Sequence, residues 1–187
     1  MELKPLGIEG VWLAESPVWG DDRGFFREWF KSEDVLAATG INFSIQQANI
    51  SQSQRGVIRG IHYSLAPEGQ AKWVTCVYGG IRDVIVDIRP SSPTFGKSVF
   101  VELNGLDGRA VLIGPGLGHG FASLADSSTI AYLLSSPYSP TEEFEINPMD
   151  PELGIDWGVD LADVSLSEKD KMAPSLAHRN KENRLSK

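Results

Sequence analysis

Between Lys72 and Ile113 the chain reads KWVTCVYGGIRDVIVDIRPSSPTFGKSVFVELNGLDGRAVLI, four short runs rich in Val, Ile and aromatic residues cut apart by YGG, PSSPTFG and NGLDG. Branched and aromatic side chains suit a pleated surface, whereas Gly, Pro, Asn and Asp supply tight turns, so the segment predicts strands over 72–78, 81–89, 97–103 and 109–113. Outward from it the same alternation predicts strands over 7–14, 24–30, 44–52, 57–63, 120–124 and 129–135. One segment reads as helical: in SEDVLAAT, Ser32 is expected to cap, acids fill the first turn, and Gly40 supplies a stop. Many strands with few short helices imply an all-β fold, a jelly-roll β-sandwich or barrel.

The 187 residues contain neither a repeat nor a linker long enough to divide them, and 1–187 is read as a single domain. From about 177 on, AHRNKENRLSK is polar and is expected to fray as a C-terminal tail. The 17 Lys and Arg against 25 Asp and Glu leave a charge of −8, with the cations scattered, which argues against a nucleic-acid partner. MELKPLGIEG lacks a leader's apolar stretch, and no apolar run approaches the roughly 18–20 residues of a membrane span. With Cys76 as the one cysteine no internal disulfide can form, so a cytoplasmic protein without a membrane partner is expected.

Several polar residues interrupt these strands. Over 44–53 the alternation sets Gln47, Asn49, Ser51 and Ser53 on one face; this is either a solvated outer face or an amide-rich lining for sugar hydroxyls and carbonyls, and it lacks the Lys and Glu of an outer face. In GVIRGIHYS, Arg59 needs an anion, either Asp83 or Asp87 in a structural pair or a phosphate. His62 is either a hydrogen-bonded core histidine or, with a carboxylate to orient it, a catalyst. Lys72 is a solvated strand end or, facing inward, a charge for an oxyanion. His119 in GPGLGHGFASL packs in a turn or lines a site, and Tyr132 in TIAYLLSS fills core or points its phenol into a cavity. GIHYS lacks a second histidine, and His178 lies in the polar tail, so no metal site is expected.

Taken together, DDRGFFREWF, QQANISQSQRGVIRGIHY, GLGHGF, AYLLSSPYSPTEE, DPELGIDW and LSEKDKMAPSL, in this order, resemble the dTDP-4-dehydrorhamnose 3,5-epimerase family of the cupin superfamily. The resemblance implies a cupin jelly-roll homodimer that acts on a dTDP-4-keto-6-deoxyhexose without a cofactor. It assigns His62 as base, Asp170 as the carboxylate that orients it, Tyr132 as proton donor and Lys72 as a group near the ketone. For substrate binding it implies Arg23, Phe26, Glu28, Gln47, Asn49, Arg59, Lys72, His119, Glu143 and Lys169, with Tyr138 stacking on thymine. Relatives that invert one carbon share most of this set, so a 3-only or 5-only enzyme is the alternative within the family, and a non-catalytic nucleotide-sugar-binding jelly roll or a metal-dependent cupin the alternatives outside it.

Overall fold

The computed structural model describes residues 1–67 and 69–185. Its elements are β1 (Glu2–Pro5), β2 (Val11–Glu15), β3 (Trp19–Asp21), β4 (Gly24–Phe26), α1 (Ser32–Thr39), β5 (Gln47–Ser53), β6 (Ile58–Ser64), β7 (Lys72–Tyr78), β8 (Gly80–Asp87) and β9 (Ser98–Asn104), followed by β10 (Arg109–Ile113), β11 (Leu117–Ser123), β12 (Ser128–Leu134), β13 (Glu143–Glu145), α2 (Glu168–Lys171) and α3 (Leu176–Lys181). One sheet has the order β1-β2-β10-β7-β12-β5 and the other β13-β6-β11-β8-β9, with every pairing antiparallel. From β5 on the chain passes from one sheet to the other at nearly every step, the winding of a cupin jelly-roll β-sandwich.

The run DVIVDI, from β8 to the residue after it, shows why this sheet needs cover on both faces. Ile81 and Ile85 point into the inner core with Val74, Val111, Phe121 and Ile130, whereas Val84, Val86 and Ile88 pack outward with Tyr63, Ile146, Trp157 and Leu176. A strand buried on both sides reads as a continuous apolar run rather than an alternation. The C-terminal segment supplies the outer cover, and α1 with the chain after it covers the other sheet through Val35, Phe43 and Trp73.

Several expectations are corrected. The strand expected over 24–30 stops at Phe26, because Phe30 turns inward against Phe43 and Trp73, whose Nε1 donates to the Trp29 carbonyl at 2.8 Å. The N-cap of α1 is Lys31 rather than Ser32 and makes no side-chain capping bond; Gly40 does end the helix, at φ 74°. The polar segment from 177 does not fray through residue 185: α3 is capped by Ser175, Arg179 and Leu185 are buried, and the Tyr63 hydroxyl donates to the Arg184 carbonyl at 2.6 Å. Ser186 and Lys187 lie outside the described residues. Among the described residues no helix is long and apolar enough to cross a membrane.

A tight backbone approach within the site's own sheet lies between β6 and β11. Gly60 has φ 121°, and a Cβ there would stand 2.5 Å from the Gly120 Cα and 2.6 Å from the His119 carbonyl oxygen. Gly60→Ala is therefore expected to destabilise the protein by on the order of 3 kcal/mol, through backbone strain and forced separation of the strands, as measured by urea unfolding.

Candidate active site

At one end the sandwich holds a cavity of about 580 Å³. One wall is built by β5, β7 and β12 with Gln47, Asn49, Lys72 and Tyr132, and the facing wall by β6 and β13 with Arg59, His62 and Glu143. Gln70 and Tyr138 line it from loops, and Lys169 and Asp170 from α2.

A local irregularity in β6 makes this lining possible. In a regular strand, residues three apart face opposite ways. Here Phe121 pairs with Arg59 but His119 pairs with His62, so two steps along β11 match three along β6, and the extra residue forms a bulge. Arg59 and His62 consequently both reach the cavity, while Ile61 and Tyr63 pack into the outer core.

His62 Nε2 lies 2.7 Å from Asp170 Oδ1, with the imidazole 42% exposed and the carboxylate 4% exposed. Burial alone would push the Asp170 carboxyl up, but the His62 ring, the Ser167 hydroxyl and the Gly60 N–H together hold it below the ordinary carboxylate range. The arrangement keeps Asp170 ionised and fixes the imidazole ring. On the opposite wall Tyr132 pairs with Asn49 in register; burial raises its phenol above the ordinary value, against the opposing effect of the Asn49 side chain, so the hydroxyl keeps its proton at neutral pH. Lys72 is buried, donates from Nζ to the His62 carbonyl at 3.2 Å, and makes no carboxylate pair within ion-pair distance among the described residues. Burial drops its pKa from 10.5 to about 8, with Glu143 and Asp83 pulling the other way.

The alternatives left open by the sequence resolve individually. The amide face of β5 points inward, with Ile50 exposed on the outside, and Gln47 donates to Asn49 Oδ1 at 3.0 Å and accepts from the Tyr138 N–H at 2.9 Å. Arg59 pairs with neither Asp83 nor Asp87; its Nε donates to Ser53 Oγ at 3.0 Å and the guanidinium is exposed in the cavity. Asp83 holds His119 at 2.7 Å instead, and Asp87 holds Arg89, Ser92 and Thr94.

Ten of the expected site residues therefore share one cavity and four do not. His119 is buried, with its Nε2 2.7 Å from Asp83 Oδ1, and is not among the residues that line the cavity. Arg23 and Phe26 stand on the β3–β4 hairpin, Arg23 paired with Asp21 and Phe26 stacked on Trp19 with ring centroids 5.8 Å apart, and the exposed Glu28 follows; within one chain none reaches the cavity. Sequence reasoning missed Gln70, which is buried and donates from Nε2 to Ser136 at 3.2 Å and Glu143 at 3.3 Å. Its position two residues before Lys72 was the available signal. No three His, Cys, Asp or Glu side chains that could hold a metal converge among the described residues.

A profile of the dTDP-4-dehydrorhamnose 3,5-epimerase family matches residues 5–178. The chain is 46% identical over 175 residues to a dTDP-4-dehydro-6-deoxyglucose 3-epimerase of a Streptomyces species, covering 94% of this chain and 89% of that protein. It is 45% identical over 177 residues to a dTDP-4-dehydrorhamnose 3,5-epimerase of Mycolicibacterium smegmatis, covering 95% and 87%. Among solved structures, a 3'-monoepimerase of Streptomyces bikiniensis in complex with dTDP-quinovose superposes with a TM-score of 0.92 at 44% identity, covering 97% of this chain and 91% of that one.

Lys72 carries a stability signature of its own. The folded state releases its proton near pH 8 and the unfolded chain near 10.5, so between these values the unfolded state binds more protons and stability rises with pH. Lys72→Met is expected to stabilise the free protein at neutral pH and to remove that rise, a difference on the order of 2–3 kcal/mol, read by urea unfolding at pH about 7.5 and 10.

Proposed function

The chain belongs to the dTDP-4-dehydrorhamnose 3,5-epimerase family of isomerases, and we propose from that premise that it epimerises a dTDP-4-keto-6-deoxyhexose, dTDP-4-dehydro-6-deoxyglucose, in deoxysugar biosynthesis. What carries the proposal to particular residues is the facing of His62, with its Asp170, and Tyr132 across one cavity.

A C–H bond beside the C4 ketone becomes acidic when the charge left behind spreads onto the carbonyl oxygen. Lys72 in its ammonium form stabilises that oxygen, more strongly than it would in water because the site is desolvated. His62 takes the proton from one side of the ring, and Asp170 holds the imidazole and stabilises the cation that forms. Tyr132 then gives a proton to the opposite side, which inverts the carbon, and solvent exchange returns imidazolium and phenolate to their starting states. No electron leaves the sugar, so this sequence of steps asks for no redox cofactor. Arg59 holds the diphosphate, Gln47, Asn49, Glu143 and Lys169 line the rest of the substrate site, and Tyr138 meets the base.

Inversion at C3 is common to the reactions named for the similar proteins and is the position to which we commit; C5 separates a 3,5-epimerase from a 3-epimerase. Arg23, Phe26 and Glu28 join the site if the β3–β4 hairpin reaches across to a second copy. The exposed Trp19, Phe25 and Phe26, together with Val77, Tyr78 and Phe100, favour such a homodimer. Consumption of a nucleotide sugar fits a cytoplasmic enzyme.

Turnover of the ketosugar in D2O is expected to place deuterium at C3 with inversion, and label at C5 assigns the double reaction; an unlabelled sugar overturns the proposal. His62→Asn and Asp170→Ala are expected to reduce kcat by on the order of a thousandfold while substrate still binds. Tyr132→Phe is expected to exchange the proton without inverting the carbon, and normal inversion would remove Tyr132 as donor. Sedimentation is expected to show a dimer.

A further inference from the structure

Asp170 sits on α2, a helix of four residues. One turn of helix cannot hold itself in place, so the position of Asp170 must come from tertiary contacts. The strap that carries it is anchored where the Ile58 N–H donates to the Ser165 carbonyl at 3.0 Å and where the Asn147 N–H donates to the Pro174 carbonyl at 2.9 Å. Between these points lie eight residues, 166–173, held laterally by the His62 and Gly60 contacts to Asp170, by Leu166 against the outer core, and by an ion pair beside Asp170.

Glu145 on β13 supplies that ion pair. Its backbone pairs with His62 in register, and its carboxylate meets Lys169, the neighbour of Asp170, at 3.0 Å. The other oxygen faces Arg179 of α3 at 3.5 Å, and Arg179 Nε donates to the Glu145 carbonyl at 3.0 Å. Arg179 is only 9% exposed, has Glu182 as a second partner at 3.2 Å, and lies over the Phe144 ring at 5.4 Å. A guanidinium held on so many sides is a rigid post, and it gives the Glu145 carboxylate one place to stand.

We infer that Glu145 and Arg179 are a positioning pair that fixes α2 and thereby sets the Asp170 carboxylate against His62. This rests on His62 acting as base with Asp170, as proposed above. Neither residue touches the reacting atoms, and a displacement of α2 by an ångström is enough to slow proton transfer on the order of ten- to a hundredfold.

Proton NMR with steady-state kinetics tests the pair. The His62–Asp170 and His119–Asp83 contacts, each 2.7 Å, are expected to give low-field imidazole N–H signals, and the buried His119 signal serves as an internal control for an intact sheet. In Glu145→Gln and Arg179→Met the His62 signal is expected to shift or vanish with the His119 signal unchanged. kcat is expected to fall about tenfold with KM within about threefold of wild type, and Arg179→Lys to recover most of it. Wild-type kcat with an unmoved His62 signal would overturn the inference, as would joint loss of both signals, which would make the pair a support of the fold alone. Asp170→Asn, measured alongside, separates the two claims: normal turnover in that variant sinks the base assignment, whereas an inactive Asp170→Asn beside a fully active Glu145→Gln sinks only the positioning pair.

Discussion

The hydrogen bond between His62 and Asp170 joins parts of the chain 108 residues apart, a central strand and a C-terminal strap. A carboxylate as buried as Asp170 is tolerable only because the His62 ring, the Ser167 hydroxyl and the Gly60 N–H all meet it. Each of those partners depends on something else. The Gly60 N–H is aimed by the close pairing of β6 with β11, the His62 ring by the bulge between them, and α2 by its anchors on either side. The outer core therefore does more than cover a sheet: Trp157, Ile146 and Leu176 pack the segment on which the acid side of the dyad rides.

Chemistry is set against stability throughout this end of the sandwich. Lys72 occupies an inward position of β7 where Val74 and Cys76 fill core further along, and its desolvation is the cost of placing a charge in the cavity wall. Asp83 pairs one oxygen with His119, and the other is buried without a partner among the described residues, another place where a polar group replaces apolar packing. The rest of the inner core is conventional, with Val74, Ile85, Val111 and Ile130 interlocked from both sheets.

The architecture was legible because apolar strands and their turn residues are encoded locally. Strands β7 and β10 match their expected limits, and the other long strands differ by a few residues. The short edge strands β1, β3 and β13 have too few residues to show a period, and their pairing comes from neighbours rather than from their own composition. The shared face of Arg59 and His62 could not be read from spacing, because strict alternation separates them and the bulge is a property of two strands together. The tail misled for the opposite reason. Its composition is that of a loose end, yet Arg179 and Leu185 bury against Phe144 and the outer core, contacts that no local window contains. Asp170 became visible only through resemblance, since one acid in LSEKD looks like any other.

Because successive strands cross between sheets, proximity in sequence earns few early contacts. β12 lies between β7 and the edge strand β5, so until residue 134 has been made the six-stranded sheet lacks its fifth strand and β5 has no strand to pair with. During synthesis the emerging chain must carry bare strand edges and apolar runs such as DVIVDI for many seconds, since ribosomes add about 5–20 residues per second. Such a polypeptide calls for holding chaperones on the ribosome, and an interrupted translation product ending before β12 is a substrate for aggregation or proteolysis rather than a half-active enzyme.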